Sequence, residues 1–307
     1  APRSLRQNSG IRFAGLAYLL MQIIKTINEL KKILADWRRQ HPGATLALVP
    51  TMGYLHPGHL SLLEIAREAS DAVVVSLFVN PRQFNDPEDY RRYPVDLKHD
   101  QELCQKAGVD FLFAPELKEM FPEDAPEVLI DIPQLTRRLE GEHRPGHLQG
   151  VLLICARLFA LIRPDLAFFG KKDYQQLVLI QNLVQLLDFP LEIVPCETIR
   201  DERGLALSSR NVRLSPKGLE HALLIRRSLL ILEKEIHDGE RSAAVLKDIG
   251  KDIIESGSLN RVEYISVASR ERLDELVSLT GGQNILLSTA VFTDGVRLID
   301  NIEVTVP

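Results

Sequence analysis

The sequence predicts an α/β protein with a Rossmann-like parallel sheet in its N-terminal domain and a smaller α+β C-terminal domain. Strand-length apolar runs alternate with helix-length periodic segments as far as Cys196. The run Asp71–Val79 (DAVVVSLFV) is rich in β-branched residues, which is typical of a strand buried on both faces of a parallel sheet. After Ser215 the pattern changes to long helices followed by alternating strands, which indicates a separate domain.

In the N-terminal domain, helices and strands follow one another with polar turns between them. A parallel sheet with right-handed crossovers is expected from this order. The predicted elements are helix Lys25–Gln40, strand Thr45–Val49, helix Leu60–Ser70, strand Asp71–Val79, helix Asp96–Ala107, strand Val109–Ala114, strand Leu129–Ile132, helical turn Gln134–Leu139, helix Gly150–Ile162, strand Leu166–Phe169, helix Tyr174–Leu187 and strand Leu191–Cys196.

The C-terminal domain is predicted to contain helices Pro216–His237 and Gly239–Ser256, and strands Val262–Ala268, Asn284–Thr293 and Val296–Val304. Asp294 and Gly295 form a two-residue hairpin turn between the last two strands. We therefore divide the chain into an extension (residues 1–20), a first domain (residues 21–197) and a second domain (residues 198–307). The extension has three arginines and no acid, and Met21 begins a new helical pattern, so we expect 1–20 to lie outside the fold.

Composition excludes several classes of protein. The chain has 307 residues, is 45% hydrophobic and 26% charged, and carries a net charge of -5, so neither a nucleic-acid nor a membrane partner is expected. Cys104, Cys155 and Cys196 are widely spaced and odd in number, which argues against a disulfide framework or a cysteine zinc site. Each is more typical of a small buried hydrophobe.

The stretch Val49–Leu63 (VPTMGYLHPGHLSLL) joins a short strand to a helix through a turn. His56 and His59 lie where the turn becomes the helix. Since a helix N-terminus offers free N–H groups and partial positive charge, this is a natural phosphate site. Two exposed loop histidines near a helix cap fit the local pattern equally well.

Three further polar clusters follow the predicted strands that end at Val79, Phe169 and Cys196, and the third is the loop that contains Ser208–Arg210. Asn80 and Gln83 come after Val79, and their amides suit neutral hydroxyls and carboxylates, although a simple Asn-Pro turn explains them too. Lys171 and Lys172 lie at a strand-to-helix turn, where cations oppose the helix dipole, so a phosphate partner is more expected than a solvated surface pair. Because ligands bind beyond the carboxyl ends of parallel strands, we expect these clusters to meet at one edge.

Two loops complete the set of candidates. Ser208, Ser209 and Arg210 offer two hydroxyls and a guanidinium fork to phosphate oxygens, and the alternative is a flexible linker. Glu140, Arg144 and His147 form an acid, base and imidazole set, and His143 with His147 is a weak metal candidate without the other ligands of a zinc site. Gly-x-Ser-x-Gly, Walker and Gly-x-Gly-x-x-Gly motifs are absent from the sequence.

Taken together, these residues resemble a known family. His56-Pro-Gly-His59 is similar to the His-x-Gly-His signature of nucleotidylyl transferases, and Ser208-Ser209-Arg210 is similar to their Lys-Met-Ser-Lys-Ser-type loop. The segments PTMGYLHPGHLSL, FVNPRQF, FFGKKDYQQL and GLALSSRN and the spacing of Glu140, Arg144 and His147 resemble the pantothenate synthetase family, in order. The match is dense from Met21 to about Leu214.

The resemblance implies a ligase of pantothenate and coenzyme A biosynthesis that condenses (R)-pantoate with β-alanine. ATP is the co-substrate and is converted to AMP and pyrophosphate through a pantoyl adenylate. Mg²⁺ is expected on the phosphates, with Asp100 as its candidate ligand. The family is typically a cytoplasmic homodimer.

The resemblance also assigns the site. His56, His59, Lys172, Ser208, Ser209 and Arg210 are the expected catalytic residues, with His59 as the proton donor. The expected ATP-binding residues are Pro50, Thr51, Met52, Gly53, Tyr54, Leu55, His56, Pro57, Gly58, His59, Gly170, Lys171, Lys172, Asp173, Ile199, Leu207, Ser208, Ser209 and Arg210. The expected substrate-binding residues are Gln83 and Gln176, which would hold pantoate, with Asn80, Tyr93, Glu140, Arg144 and His147.

Two alternatives remain open. Another adenylyl transferase, acting on a phosphate acceptor, would not require Gln83 and Gln176. A nucleotide- or RNA-binding module without activity is disfavoured by the net charge and by the full set of phosphate-binding candidates. The chain departs from the family pattern at Pro57 and Lys171, where an acid is common, and at Val95, where an arginine is frequent.

Overall fold

The computed structural model describes residues 21–307, and the predicted extension lies outside the described residues. A six-stranded parallel sheet has the order β1-β4-β3-β2-β5-β6, and a three-stranded antiparallel sheet has the order β7-β8-β9. The strands are β1 (Gln22–Ile24), β2 (Leu46–Thr51), β3 (Ala72–Leu77), β4 (Phe111–Phe113), β5 (Leu166–Gly170), β6 (Glu192–Cys196), β7 (Asn260–Ser269), β8 (Asn284–Thr293) and β9 (Val296–Thr305).

Helices cover both faces of the parallel sheet and one face of the antiparallel sheet. None in the described part of the chain is long and apolar enough to cross a bilayer. The helices are α1 (Ile27–Gln40), α2 (Pro57–Ala69), α3 (Pro87–Arg91), α4 (Leu97–Lys106), α5 (Leu117–Met120), α6 (Pro133–Thr136), α7 (Glu140–His143), α8 (His147–Ile162), α9 (Tyr174–Leu186), α10 (Pro216–His237) and α11 (Ala243–Glu255), with short 3-10 helices at Pro81–Gln83, Lys171–Asp173 and Ser209–Arg213.

The centre of the parallel sheet confirms the predicted burial pattern. All six residues of β3 are buried, and β3 pairs in parallel with β2 on one side and β4 on the other. Two hydrophobic clusters lie on the opposite faces, one beneath α1, α8 and α9 and the other beneath α2 and α4. Burial on both faces accounts for the continuous apolar runs in the sequence. Cys104, Cys155 and Cys196 are buried, as expected.

Two local predictions were wrong. Gln22–Ile24 was assigned to the helical pattern that begins at Met21, but these residues pair with Phe111–Phe113 of β4 as an edge strand. Three residues are too few for a periodic signal, and the pairing partner lies far along the chain. The strand predicted at Leu129–Ile132 is irregular backbone instead; Leu129 is 74% exposed, and Ile130 and Ile132 pack against the core without pairing to a strand.

The antiparallel sheet agrees closely with the sequence pattern. Strands β8 and β9 pair along their whole length, and Asp294 and Gly295 form the turn with φ of 52° and 75°. Positive φ at both central residues is typical of a type I′ hairpin. Helices α10 and α11 pack on this sheet around Leu229, Leu246 and Ile285.

Candidate active site

A cavity of about 240 Å³ opens at the carboxyl ends of the parallel strands. The loops after β2, β3, β5 and β6 meet here, together with the N-terminal half of α8 and the start of the 3-10 helix at Ser209, so the predicted convergence at one edge is confirmed. The predicted residues that line it are Pro50, Thr51, Met52, His56, Gly58, His59, Gln83, Tyr93, Arg144, His147, Gly170, Lys172, Asp173, Gln176, Ile199, Leu207, Ser208, Ser209 and Arg210.

The turn between β2 and α2 is shaped by a buried carboxylate. Asp100, which is 1% exposed, accepts the N–H of Tyr54 at 2.8 Å and that of Leu55 at 2.7 Å. A Cβ at Gly53 would lie 2.9 Å from an Asp100 oxygen, and Gly53 has a φ of +85°, so only glycine fits here without strain. Because backbone donors engage both its oxygens, the structure favours a loop-shaping role for Asp100 over the predicted metal ligand.

His56 is the N-cap of α2, and His59 lies one turn into the helix. The backbone N–H of Gly58 donates to His56 Nδ1 at 3.1 Å, and the N–H of His56 points at His59 Nδ1 at 3.4 Å. Since an Nδ1 that accepts a hydrogen bond carries no proton, both neutral rings are expected to hold their proton on Nε2. The two ring centroids are 4.1 Å apart, so the pair presents two neighbouring N–H donors.

Burial keeps both imidazoles neutral. It lowers the pKa of His59 to about 3, with the adjacent His56 as a further cause, and it lowers the pKa of His56 to about 4, with Lys172 next in importance. In the chain without ligand, His59 is therefore neutral at neutral pH and can donate a hydrogen bond from Nε2.

The two adjacent lysines have different surroundings. Lys172 lines the cavity, and its nearest carboxylate is Asp173 at 3.8 Å. Lys171 does not line the cavity; its ammonium donates to Glu197 at 2.6 Å and to Glu303 at 2.7 Å. At Lys171, where the chain departs from the family pattern, a cation is thus paired with carboxylates outside the cavity. Of the two lysines, only Lys172 is available to an anion in the cavity.

The Ser208–Arg210 loop lines the same cavity as the histidines. The Ser208 hydroxyl accepts the N–H of Arg210 at 3.2 Å and begins a short 3-10 helix. The Arg210 guanidinium lines the cavity and donates one N–H to Asp89 at 2.8 Å. Asp89 also accepts from Arg213 at 3.0 Å, so the loop is held against α3 by two ion pairs.

Amides form the end of the cavity nearest α8. The Gln83 side chain donates to Met52 Sδ and accepts from Asn80 Nδ2 at 3.1 Å. Asn80 is 1% exposed and also donates to the carbonyl of Gly150 at 3.0 Å, so it positions Gln83 and does not line the cavity itself. A Cβ at Gly150 would lie 2.2 Å from the Arg82 carbonyl oxygen, which explains the glycine at this close approach.

The Glu140, Arg144 and His147 cluster separates into two kinds of residue. Arg144 and His147 line the cavity, and the His147 Nδ1 lies 2.7 Å from the Gln83 carbonyl oxygen, to which it is placed to donate. Burial, followed by the charge of Arg144, lowers the pKa of His147 to about 4. Glu140 lies behind the cavity wall, 3.6 Å from Arg144, and contacts the antiparallel sheet.

Several predicted residues therefore do not line the cavity. Gly53, Tyr54, Leu55 and Pro57 belong to the turn whose shape exposes the histidines, and their backbone is held by Asp100 and by the start of α2. Asn80 and Glu140 support lining residues from behind. Among residues 21–307, no group of three or more His, Cys, Asp or Glu side chains is arranged to hold a metal ion.

Sequence reasoning missed a set of residues on the antiparallel sheet that support the site from the other domain. Arg297 donates two hydrogen bonds to Glu140 at 2.7 and 2.8 Å, and the Tyr264 hydroxyl donates a third at 2.8 Å. Burial opposes ionisation of Glu140, but these partners outweigh it and lower its pKa to about 2. Asp300 accepts a hydrogen bond from Arg200, and Asn301 donates one to the carbonyl of Lys171. The polar run Asp300-Asn301, amid apolar alternation in β9, was the available signal.

Comparisons with known proteins agree with this geometry. A sequence profile of the family described as Pantoate-beta-alanine ligase matches residues 22–303. A curated relative from Leptospira interrogans, named Pantothenate synthetase, is 46% identical over 287 residues, which cover 94% of this chain and 99% of the relative. A relative of the same name from Aquifex aeolicus is 44% identical and covers 91% of this chain and 97% of its own length.

Solved structures give the same result. Pantothenate synthetase from Thermus thermophilus matches with a TM-score of 0.84 and 43% identity, over 93% of this chain and 100% of that structure. Pantoate-beta-alanine ligase from Francisella tularensis, described as complexed with Beta-gamma ATP and beta-alanine, matches with a TM-score of 0.76 and 34% identity, over 92% and 97%. From the profile and these relatives, the chain belongs to the pantoate-beta-alanine ligase family.

Proposed function

We propose that this chain condenses (R)-pantoate with β-alanine to form pantothenate, with ATP converted to AMP and pyrophosphate. The observation that carries the proposal is that two neutral imidazoles, Lys172, the Ser208–Arg210 loop and the amides of Gln83 and Gln176 all line one cavity. Phosphate-binding groups together with groups that bind hydroxyls and carboxylates suit a small hydroxy acid next to an ATP α-phosphate.

In the first step, a pantoate carboxylate oxygen attacks the α-phosphorus, the bond to the bridging oxygen breaks, and pyrophosphate leaves. Negative charge grows on the phosphate oxygens as this happens. The Nε2–H groups of His56 and His59, the Lys172 ammonium and the Arg210 guanidinium are the donors that would stabilise it. Gln83, held by Asn80 and Met52, and Gln176 would orient pantoate for attack.

In the second step, the β-alanine amine attacks the acyl carbon of the adenylate, loses a proton and displaces AMP. The activated acyl group is carried by AMP, so no enzyme nucleophile is required. The buried thiol of Cys155 at the cavity wall agrees with this, since burial raises its pKa to about 12 and keeps it protonated.

Mg²⁺ is proposed to bind with ATP, held mainly by phosphate oxygens and water, as is usual for this ion. That arrangement fits a site in which residues 21–307 lack a cluster of metal ligands and Asp100 is engaged by backbone donors. We also propose a domain boundary at residue 198, a cytoplasmic location and a homodimer, as the family resemblance implies.

Exchange of labelled pyrophosphate into ATP tests the first step. The proposal expects exchange that depends on pantoate and does not require β-alanine. Exchange without pantoate would instead indicate an adenylyl transferase with another acceptor, and no exchange under either condition would contradict adenylate formation. Pantothenate production on addition of β-alanine then tests the second step.

A further inference from the structure

We propose that Asn301, on the last strand of the antiparallel sheet, is a positioning residue that fixes Lys172 in the ATP site from the opposite domain. The inference rests on the proposed role of Lys172 in binding ATP phosphates. Asn301 does not line the cavity of about 240 Å³, although it lines a smaller pocket beside it together with Lys172, so we expect it to act on the ATP site through the turn that carries the lysine.

The contact is direct and buried. The Asn301 Nδ2 group donates to the carbonyl of Lys171 at 3.0 Å and to that of Lys172 at 2.8 Å, and Asn301 is 8% exposed. These carbonyls belong to the short 3-10 helix Lys171–Asp173. Two hydrogen bonds from the antiparallel sheet therefore fix the backbone of this turn through its carbonyl groups.

Asn301 is itself held firmly. Its own N–H donates to Asp300 Oδ1 at 2.8 Å, and Asp300, which is 4% exposed, accepts two hydrogen bonds from Arg200 at 2.7 and 2.8 Å. The strand pairs with β8 through this position, where Asn301 faces Ser288. A side chain fixed in this way can define the position of the backbone to which it donates.

The same strand separates the two lysines. Glu303, two residues further along β9, accepts from the Lys171 ammonium and from the Tyr174 hydroxyl at 3.0 Å. Glu303 therefore holds the Lys171 side chain outside the cavity, while Asn301 holds the backbone from which Lys172 extends into it. Asparagine suits this position because its amide supplies two N–H donors, whereas aspartate would direct a carboxylate at two carbonyl oxygens.

Calorimetric measurement of ATP binding to the full chain tests the inference with the variants Asn301→Ala, Lys172→Ala and the double variant. Asn301→Ala is expected to weaken ATP binding by about tenfold, because a displaced lysine loses its phosphate contact. In the Lys172→Ala background the same change is expected to have no further effect, since a residue that acts only through Lys172 cannot act when that side chain is absent.

Asn260→Ala is the matched control. Asn260 lies on β7 of the same sheet and also donates to two backbone carbonyls, those of His221 and Ile254, both at 2.9 Å, but it is remote from the cavity. Both alanine variants should lower the melting temperature, and only Asn301→Ala should weaken ATP binding. If Asn301→Ala fails to fold, Asn301→Ser keeps a hydroxyl donor and undergoes the same measurements.

The outcomes are separable. Equal weakening by Asn301→Ala with and without the Lys172 side chain would assign Asn301 a general structural role and overturn the inference. Unchanged ATP binding in Asn301→Ala, together with weaker binding in Lys172→Ala, would overturn the inference alone. Unchanged binding in Lys172→Ala would remove the proposed role of Lys172 and the inference with it.

Discussion

At the scale of single residues, the position of one proton on each histidine determines what the site can do. Backbone N–H groups point at Nδ1 of His56 and His59, and burial keeps both rings neutral. A neutral imidazole with its proton on Nε2 donates a hydrogen bond to phosphate without leaving an uncompensated buried charge when ATP is absent. The helix start thus provides fixed donors rather than fixed charges.

Replacing His59 with alanine should reduce pantoate-dependent pyrophosphate exchange by roughly 10²- to 10³-fold, because a fixed donor to the transition-state oxygens is lost. The exchange rate at saturating pantoate is the measurement, with circular dichroism to verify the fold. His99→Ala, on the exposed face of α4, is the control and should keep the wild-type rate. A His59→Ala variant with wild-type exchange would refute the assigned role.

Acid should destabilise the chain through His147. Its pKa in the folded state is about 4, below the value of about 6.5 for an exposed histidine, so the unfolded chain binds the proton first as the pH falls. Stability is then lost between about pH 6.5 and pH 4, by about 1.4 kcal/mol per pH unit for this histidine. The measurement is the free energy of unfolding in urea at several pH values across this range. Its dependence on pH should be weaker for His147→Gln than for the wild type, and an equal dependence would contradict the prediction.

At the scale of secondary-structure elements, two short helices hold the Ser208–Arg210 loop in place at the cavity. Asp89 lies on helix α3. Arg210 and Arg213 lie on the 3-10 helix after Ser208, and both donate hydrogen bonds to Asp89. Only one guanidinium nitrogen of Arg210 is used by Asp89, so N–H groups remain for a phosphate. Asp89 therefore steadies the loop in the orientation in which Arg210 faces the cavity.

Asp89→Asn should raise the KM for ATP by roughly two- to tenfold, since two partly exposed ion pairs contribute modestly to the order of the loop. Steady-state kinetics with ATP varied is the measurement. Asp86→Asn is the control, because Asp86 caps the same helix and asparagine caps equally well. A lower KM in Asp89→Asn would mean that Asp89 competes with ATP for Arg210 instead of steadying it.

At the scale of the whole molecule, the two domains are joined by buried charge. Glu140 of the first domain accepts hydrogen bonds from Arg297 and Tyr264 of the second, and it lies beside Arg144 of the cavity wall. The domains thus share one electrostatic cluster next to Arg144, which lines the cavity. The shape of the cavity and the stability of the contact between the domains depend on the same side chains.

Glu140→Gln should lower the free energy of unfolding by about 3–5 kcal/mol, because it leaves buried arginines without their carboxylate. Since the pKa of Glu140 in the folded state is lowered to about 2, its contribution is present above about pH 4.5 and is lost as the pH falls toward 2. Urea unfolding at pH 7 is the measurement, and Glu142→Gln, at an exposed neighbouring position, is the control. A change below about 1 kcal/mol would contradict the prediction.

The sequence predicted those parts of the fold whose signals lie close together in the chain. The buried run of β3, the Asp294-Gly295 turn and the polar residues after each strand are visible within a few positions of one another. Edge strand β1 was missed because its partner is nearly ninety residues away in the chain. Asp100 was assigned to metal because nothing near it in the sequence reveals that it binds the turn at Tyr54.

The site was predictable to the same extent. Many residues that line the cavity follow strand ends, and the pattern of parallel strands brings them together, whereas Arg144 and His147 come from the region of α7 and α8. Asn301 and Arg297 act from another sheet, and whether a polar residue on an alternating strand faces solvent or a neighbouring domain depends on how the domains pack. Local sequence does not specify that packing.

The burial of Cys104, Cys155 and Cys196 makes the native chain a ready background for site-specific labelling. These three thiols are at most 4% exposed, and burial raises their pKa to between about 11 and about 12. Since thiolates are the species that react with maleimides, a cysteine introduced on the surface should be modified far faster than the natural ones. A fluorophore on α3 and another on α10 would then report any change in the distance between these helices when ATP binds, without removal of any native residue from the core.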